Sequence, residues 1–139
     1  MPRHAIIPGF QYQNAPAAID FLCNAFGFQR HAVYAHPQDP NLIMHAELVL
    51  NGNMIMLGSR RPDPPTMGYT RKSPEEAGGV TMTLVVIVDD PDGHAKHATA
   101  AGARIINAPR DNEGYPGRAY NALDTEGHVW HFTNYDPFA

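Results

Sequence analysis

The chain has 139 residues, of which 43% are hydrophobic and 17% charged, with a formal net charge of −4. Such a composition belongs to one globular domain and excludes a disordered chain. No basic cluster exceeds Arg60-Arg61 or Arg71-Lys72, so nothing points to nucleic acid as a partner.

Residues 6–12 predict a first strand. Asn14-Ala15-Pro16 then opens a helix, since proline is tolerated in a first turn. Ile19, Leu22, Cys23 and Phe26 recur at i, i+3, i+4 and i+7 and form one apolar stripe. Gly27 ends the helix. Cys23 lies on the stripe and reads as a small buried hydrophobe. As the lone cysteine it makes no intrachain disulfide and fits a reducing compartment. Residues 28–35 predict a second strand, 36–40 a turn and 43–50 a third strand. Asn51-Gly52 is a hairpin signal, and 53–57 close the first half.

Residues 59–79 contain Pro62, Pro64, Pro65 and Pro74 with Gly68, Gly78 and Gly79. This composition predicts a linker or surface loop without a regular element. A loop of roughly 20 residues in so small a domain is usually functional or mobile.

The second half repeats the pattern. Residues 80–88 are a nearly unbroken β-branched strand. Asp89-Asp90-Pro91 opens a helix with Ala95 and Ala98 on its inner face, ending at Gly102. Residues 104–107 predict a strand and 108–117 a loop. Residues 118–123 and 128–133 form a closing hairpin around Asp124-Thr125-Glu126-Gly127, where Gly supplies a positive φ and Asp serves the backbone. The chain thus divides into a β-α-β-β-β module at 1–58, a linker at 59–79 and a second β-α-β-β-β module at 80–139. Together the modules make one α+β domain.

Four segments carry a family resemblance. They are Ala15 to Leu22 leading to Phe26-Gly27-Phe28, His45-Ala46-Glu47-Leu48, Val88-Asp89-Asp90-Pro91-Asp92, and the ending Asp124 to Phe132. They resemble the vicinal oxygen chelate superfamily, which includes glyoxalase I, extradiol dioxygenases and bleomycin-resistance proteins, and most of all its bleomycin-resistance-like branch. The resemblance implies a curved, partly open mixed sheet around a central cavity, with helices outside. It implies modules paired within one chain or across a homodimer.

In metal-dependent members each module gives one ligand from its first strand and one from its last. Carried over by motif, those positions are Ile7, Met56, Thr83 and His131. Ile7 binds no metal, Met56 offers a thioether suited to soft ions, and Thr83 is a poor ligand alone. A catalytic divalent site needs about three protein ligands. No cofactor is therefore expected at the usual positions, and a divalent metal at a displaced site is the alternative.

Strand alternation assigns the cavity face. Trp130 and Phe132 pack under the helices, which leaves Val129 and His131 inward. Ala46, Leu48 and Leu50 take the helix side of the third strand, which leaves His45, Glu47 and Val49 inward. Met54 and Met56 face inward on the fourth strand, Ile7, Gly9 and Gln11 on the first, and Thr81, Thr83 and Val85 on the fifth. The candidate ligand-binding residues are Gln11, His45, Glu47, Met54, Met56, Thr83, Val85 and His131. His45 and Glu47, at i and i+2, share a face. Such a pair satisfies itself in a polar core network, recognises a ligand, or acts as acid and base. Tyr12, Phe28, Tyr34, Tyr69, Tyr115 and Tyr135 are candidates to line an aromatic groove.

The other histidines read as surface or structural residues. His4 is near the chain end, His31 and His36 border a turn, His94 and His97 lie on the outer face of a helix, and His128 follows a turn glycine. There is no His-Glu-x-x-His, Cys-x-x-Cys, Gly-x-Ser-x-Gly or phosphate-binding Gly-rich motif. The N-terminus lacks a cleavable apolar core and no apolar run approaches about 18 residues, so the expected location is cytoplasmic, without a membrane partner. The expected function is binding or sequestering an apolar or planar small molecule. The alternative is a lyase, isomerase or dioxygenase in which His45, Glu47 and His131 hold a displaced metal or act as acid and base.

Overall fold

A computed structural model describes residues 6–60 and 68–139. His4 and the prolines at 62, 64 and 65, which entered the sequence reading, lie outside the described residues. The elements run β1 (Gly9–Tyr12), α1 (Ala15–Phe26), β2 (Gln29–His36), β3 (Asp39–Leu50), β4 (Asn53–Ser59), α2 (Pro74–Ala77), β5 (Leu84–Ile87), α3 (Pro91–Ala100), β6 (Arg104–Asp111), β7 (Arg118–Leu123) and β8 (Val129–Thr133).

Local chemistry explains most of these boundaries. Asn14 caps α1 by accepting the Ala17 N–H at 3.2 Å, and Gly27 ends it at φ 88°, where its own N–H reaches the Leu22 carbonyl. Asp90 caps α3 through the Gly93 N–H at 3.1 Å. Asn51 and Gly52 both have positive φ, 50° and 80°, as a two-residue hairpin turn requires.

The strands form two four-stranded sheets of matching topology, β1-β4-β3-β2 and β5-β8-β7-β6. In each, the first strand runs parallel to the last, and the other pairings are antiparallel. The class is α+β, with two β-α-β-β-β units and no closed barrel. Among the described residues no helix is long and apolar enough to cross a membrane.

Several sequence expectations need correction; β3, for one, begins at Asp39, inside the turn expected at 36–40. β1 and β5 are four residues each, because each pairs only over that span with β4 or β8. β6 continues to Asp111, so the expected loop from 108 begins later. The stretch 59–79 does hold a regular element. Ser73 accepts the Glu76 N–H while Glu76 accepts the Ser73 N–H, and this capping box closes the single turn α2 with Pro74 in its first position.

The helix-bearing faces of the two sheets share one core. Phe10 of β1 stacks on Trp130 of β8 at 5.8 Å, Phe28 meets Trp130 edge-on at 5.6 Å, and Phe26 of α1 meets Phe132 at 4.8 Å. Ala95 and Ala98 of α3 are buried there, which lets that helix lie close. Each sheet therefore keeps its second face open, and the two open faces of one chain look away from each other.

Candidate functional site

Strand alternation sorted the helix-side residues correctly. Ile55, Leu57, Ala46, Leu48, Trp130 and Phe132 are buried on the helix side, as their parity requires. On the first sheet the opposite parity carries Gln11, His45, Glu47, Met54 and Met56. Register brings Glu47 and Gly9 beside Met56, one on each side. His45 Nε2 donates to Glu47 Oε2 at 2.9 Å, and His31 Nε2 stands 3.9 Å from Glu47 Oε1. Tyr34 lies opposite His45 in the β2–β3 ladder and stacks on its ring at 6.1 Å, 60% exposed. The result is a carboxylate held between imidazoles, beside an aromatic plane and two thioethers.

The second sheet carries a different group. His131 lies between Val85 of β5 and Asn121 of β7. Asn121 Nδ2 is 3.0 Å from His131 Nδ1, while Asn107 Nδ2 and Arg110 Nη2 each donate to Asn121 Oδ1 at 3.3 Å. Burial, and after it the Arg110 charge, push His131 below the ordinary imidazole value and favour the neutral ring. Val85 is 62% exposed and Thr83 is exposed beside it.

The eight expected ligand-binding residues thus fall into two groups. His45 and Glu47 are bonded to each other. His131 belongs to a separate network on the other sheet, and the two networks sit on open faces that look apart. Sequence reasoning missed Tyr34 as the partner of His45, and it missed Asn107, Arg110 and Asn121 altogether. The signal for Asn121 was present: counting back across the 124–128 turn from His131 sets Leu123 against Val129 and Asn121 against His131.

Several other expectations change. Tyr12 and Phe28 are core residues and line no groove. Tyr115 and Tyr135 pack edge-on against each other at 5.3 Å. His94 does not lie on the outer face of its helix. Its ring lies 4.4 Å from that of Phe132, its Nδ1 is bonded to the Tyr120 hydroxyl, and burial lowers its pKa. His97 Nε2 donates to the Asn24 carbonyl at 2.8 Å, tying α3 to the end of α1. Cys23 packs beside the core, and burial pushes its thiol up, away from reactivity.

The chain matches the Glyoxalase/Bleomycin resistance protein/Dioxygenase superfamily over residues 6–132, and it belongs to that family. TioX from Micromonospora sp. ML1 is 28% identical with a TM-score of 0.71, covering 94% of this chain and 98% of that one. Glyoxalase I from Zea mays is 13% identical with a TM-score of 0.68. The match covers 91% of this chain but 43% of that one. The fosfomycin resistance protein FosX from Listeria monocytogenes, in complex with Mn(II), is 11% identical with a TM-score of 0.68, covering 99% and 94%. No curated protein sequence matches.

The positions that the family resemblance assigns to a metal are Ile7, Met56, Thr83 and His131. That set supplies one imidazole, one thioether and one hydroxyl, and it does not fit a hard or borderline divalent ion. Among the described residues no three His, Cys, Asp or Glu side chains come together as a metal site.

Proposed function

We propose that this protein binds or sequesters an apolar, planar small molecule against its open sheet faces, as a homodimer and without the metal usual in its superfamily. One observation carries the reading. Both open faces present apolar side chains to solvent around a few placed polar groups, the first with Tyr34 at 60% exposure and the second with Val85 at 62%. Exposed apolar surface of this kind, with a small number of convergent polar atoms, is the composition of a ligand site. A second copy that sets its second sheet against the first sheet of its partner unites Gln11, His45, Glu47, Met54 and Met56 with Thr83, Val85 and His131. Met side chains adapt to ligands of varied outline.

The His45–Glu47 hydrogen bond supports a second reading, in which the pair acts as acid and base in a lyase- or isomerase-like reaction. The donor chemistry gives no support to a metal-dependent version.

Calorimetric titration with neutral, cationic and anionic planar aromatic compounds tests the binding reading. Saturable binding to a dimer, weakened at least tenfold in both Met56→Lys and Val85→Lys, is the expected result. A monomer that binds none of them overturns it.

A further inference from the structure

The Arg110–Asn121–His131 relay fixes which ring nitrogen of His131 bears hydrogen. A guanidinium only donates, so the atom of Asn121 that faces Arg110 must be the amide oxygen. Asn107 Nδ2 shares that oxygen. The amide nitrogen then faces His131 Nδ1, and since it too only donates, Nδ1 accepts. The neutral ring carries its hydrogen on Nε2, which has no protein partner among the described residues. Asn121 is 9% exposed and clamped by both neighbours, so the arrangement is built into the sheet.

This has consequences for what the face recognises. Nε2–H is a donor, whereas a histidine that ligates through Nε2 needs its hydrogen on Nδ1. Arg110 stands on the same face, and register puts Arg104 there as well, opposite Leu123. Among the described residues neither arginine has a carboxylate within ion-pair distance. The side chains free to meet a ligand here include two arginines and an imidazole N–H, all donors.

We propose that this face selects ligands bearing a carboxylate, with His131 Nε2–H donating to one of its oxygens, the Arg110 and Arg104 charges drawing the anion to the face, and Asn121 as the positioning residue. The proposal rests on the small-molecule reading above and names the polar group that such a planar ligand presents to the second sheet. Charge-assisted hydrogen bonds of this kind are worth roughly tenfold or more in affinity each.

The test compares 2-naphthoate with 2-naphthamide, which share a ring system and differ in charge, on the intact protein by calorimetry. In parallel, long-range proton–nitrogen correlation spectra read the His131 ring in the free protein. The expected result is at least tenfold preference for naphthoate, with a pyridine-type Nδ1 and a pyrrole-type Nε2. Arg110→Gln and His131→Phe should each lose most of the preference while still binding naphthamide. Asn121→Asp should lose it too and move the ring hydrogen to Nδ1, with Asn121→Gln intermediate. Equal binding of the two probes overturns carboxylate selection and leaves the binding reading intact. Absence of binding by either probe overturns carboxylate selection, and the binding reading falls with it if the wider panel of planar compounds also fails to bind. A wild-type spectrum with the hydrogen on Nδ1 overturns the relay whatever binds.

Discussion

The Tyr12 hydroxyl donates to the Asp124 carboxylate at 2.7 Å, joining the first strand of the chain to the turn of its last hairpin. The same oxygen accepts the Trp130 indole N–H at 3.2 Å, and the other carboxylate oxygen accepts the Glu126 and His128 N–H groups. Asp124 is buried, so each of its lone pairs has to be used. The turn residue that organises its own backbone therefore also locks one module to the other.

Tyr12→Phe removes one of four donors and should cost about 1–2 kcal/mol. Asp124→Ala strands the Tyr12 and Trp130 donors in the core and should cost about 3 kcal/mol or more. Urea denaturation reads both, and the double variant should be less destabilised than the sum of the two. Simple additivity would mean that the hydroxyl and the carboxylate do not act as a pair.

These contacts also mark the limit of what the sequence discloses. The Asp-x-Glu-Gly turn, the α1 stripe and the Asn51-Gly52 hairpin are local signals, set by φ and by spacing, and they reappear in the structure where expected. Parity likewise sorted Met54 from Ile55 and His131 from Trp130. Parity gives a face and not a neighbour across sheets, so it grouped His45, Glu47 and His131, which the fold parts. The Ser73 capping box was lost among prolines and glycines because composition outweighed one four-residue motif. The buried place of His94 depends on Phe132 and Tyr120, both distant in sequence.

Glu126 makes a second link between modules. Its carboxylate accepts the Gln13 and Asn14 N–H groups at 2.7 and 2.9 Å, at the positive end of α1. Glu126→Ala should destabilise by about 1 kcal/mol, and the loss should shrink at high salt because the site is exposed. Glu126→Gln retains one acceptor and should lose less. Equal stability of all three proteins in low salt would show that this cap contributes nothing.

Glu76 gives an acid-sensitive element. Its hydrogen bonds to Ser73, and its ion pair with Arg60 at 2.6 Å, hold its pKa at about 2 against an ordinary value of 4.5. A depressed carboxylate pKa stabilises the fold above the unfolded value and loses that contribution as pH falls through the folded one. The α2 turn should therefore be intact above pH 4.5 and should open as pH drops toward 2. Hydrogen exchange at the Ser73 amide reads the opening. Glu76→Gln should exchange quickly at every pH, and a wild-type amide that is unprotected at pH 6 would refute the cap.

Metal addition separates the binding reading from an enzyme of the metal-dependent kind. Of the family positions Ile7, Met56, Thr83 and His131 only His131 is a competent ligand, and among the described residues no three His, Cys, Asp or Glu side chains form a metal site. Incubation with Mn²⁺, Fe²⁺, Ni²⁺ or Zn²⁺ followed by desalting should leave well under one ion per chain by elemental mass spectrometry. Chelator treatment should change neither the midpoint of thermal unfolding nor the affinity for a planar ligand. Near one retained ion per chain, lost in His131→Ala, would overturn the metal-free site. If His45→Ala and Glu47→Gln also released that ion, the two open faces would have to converge on it, in a displaced centre assembled across two copies.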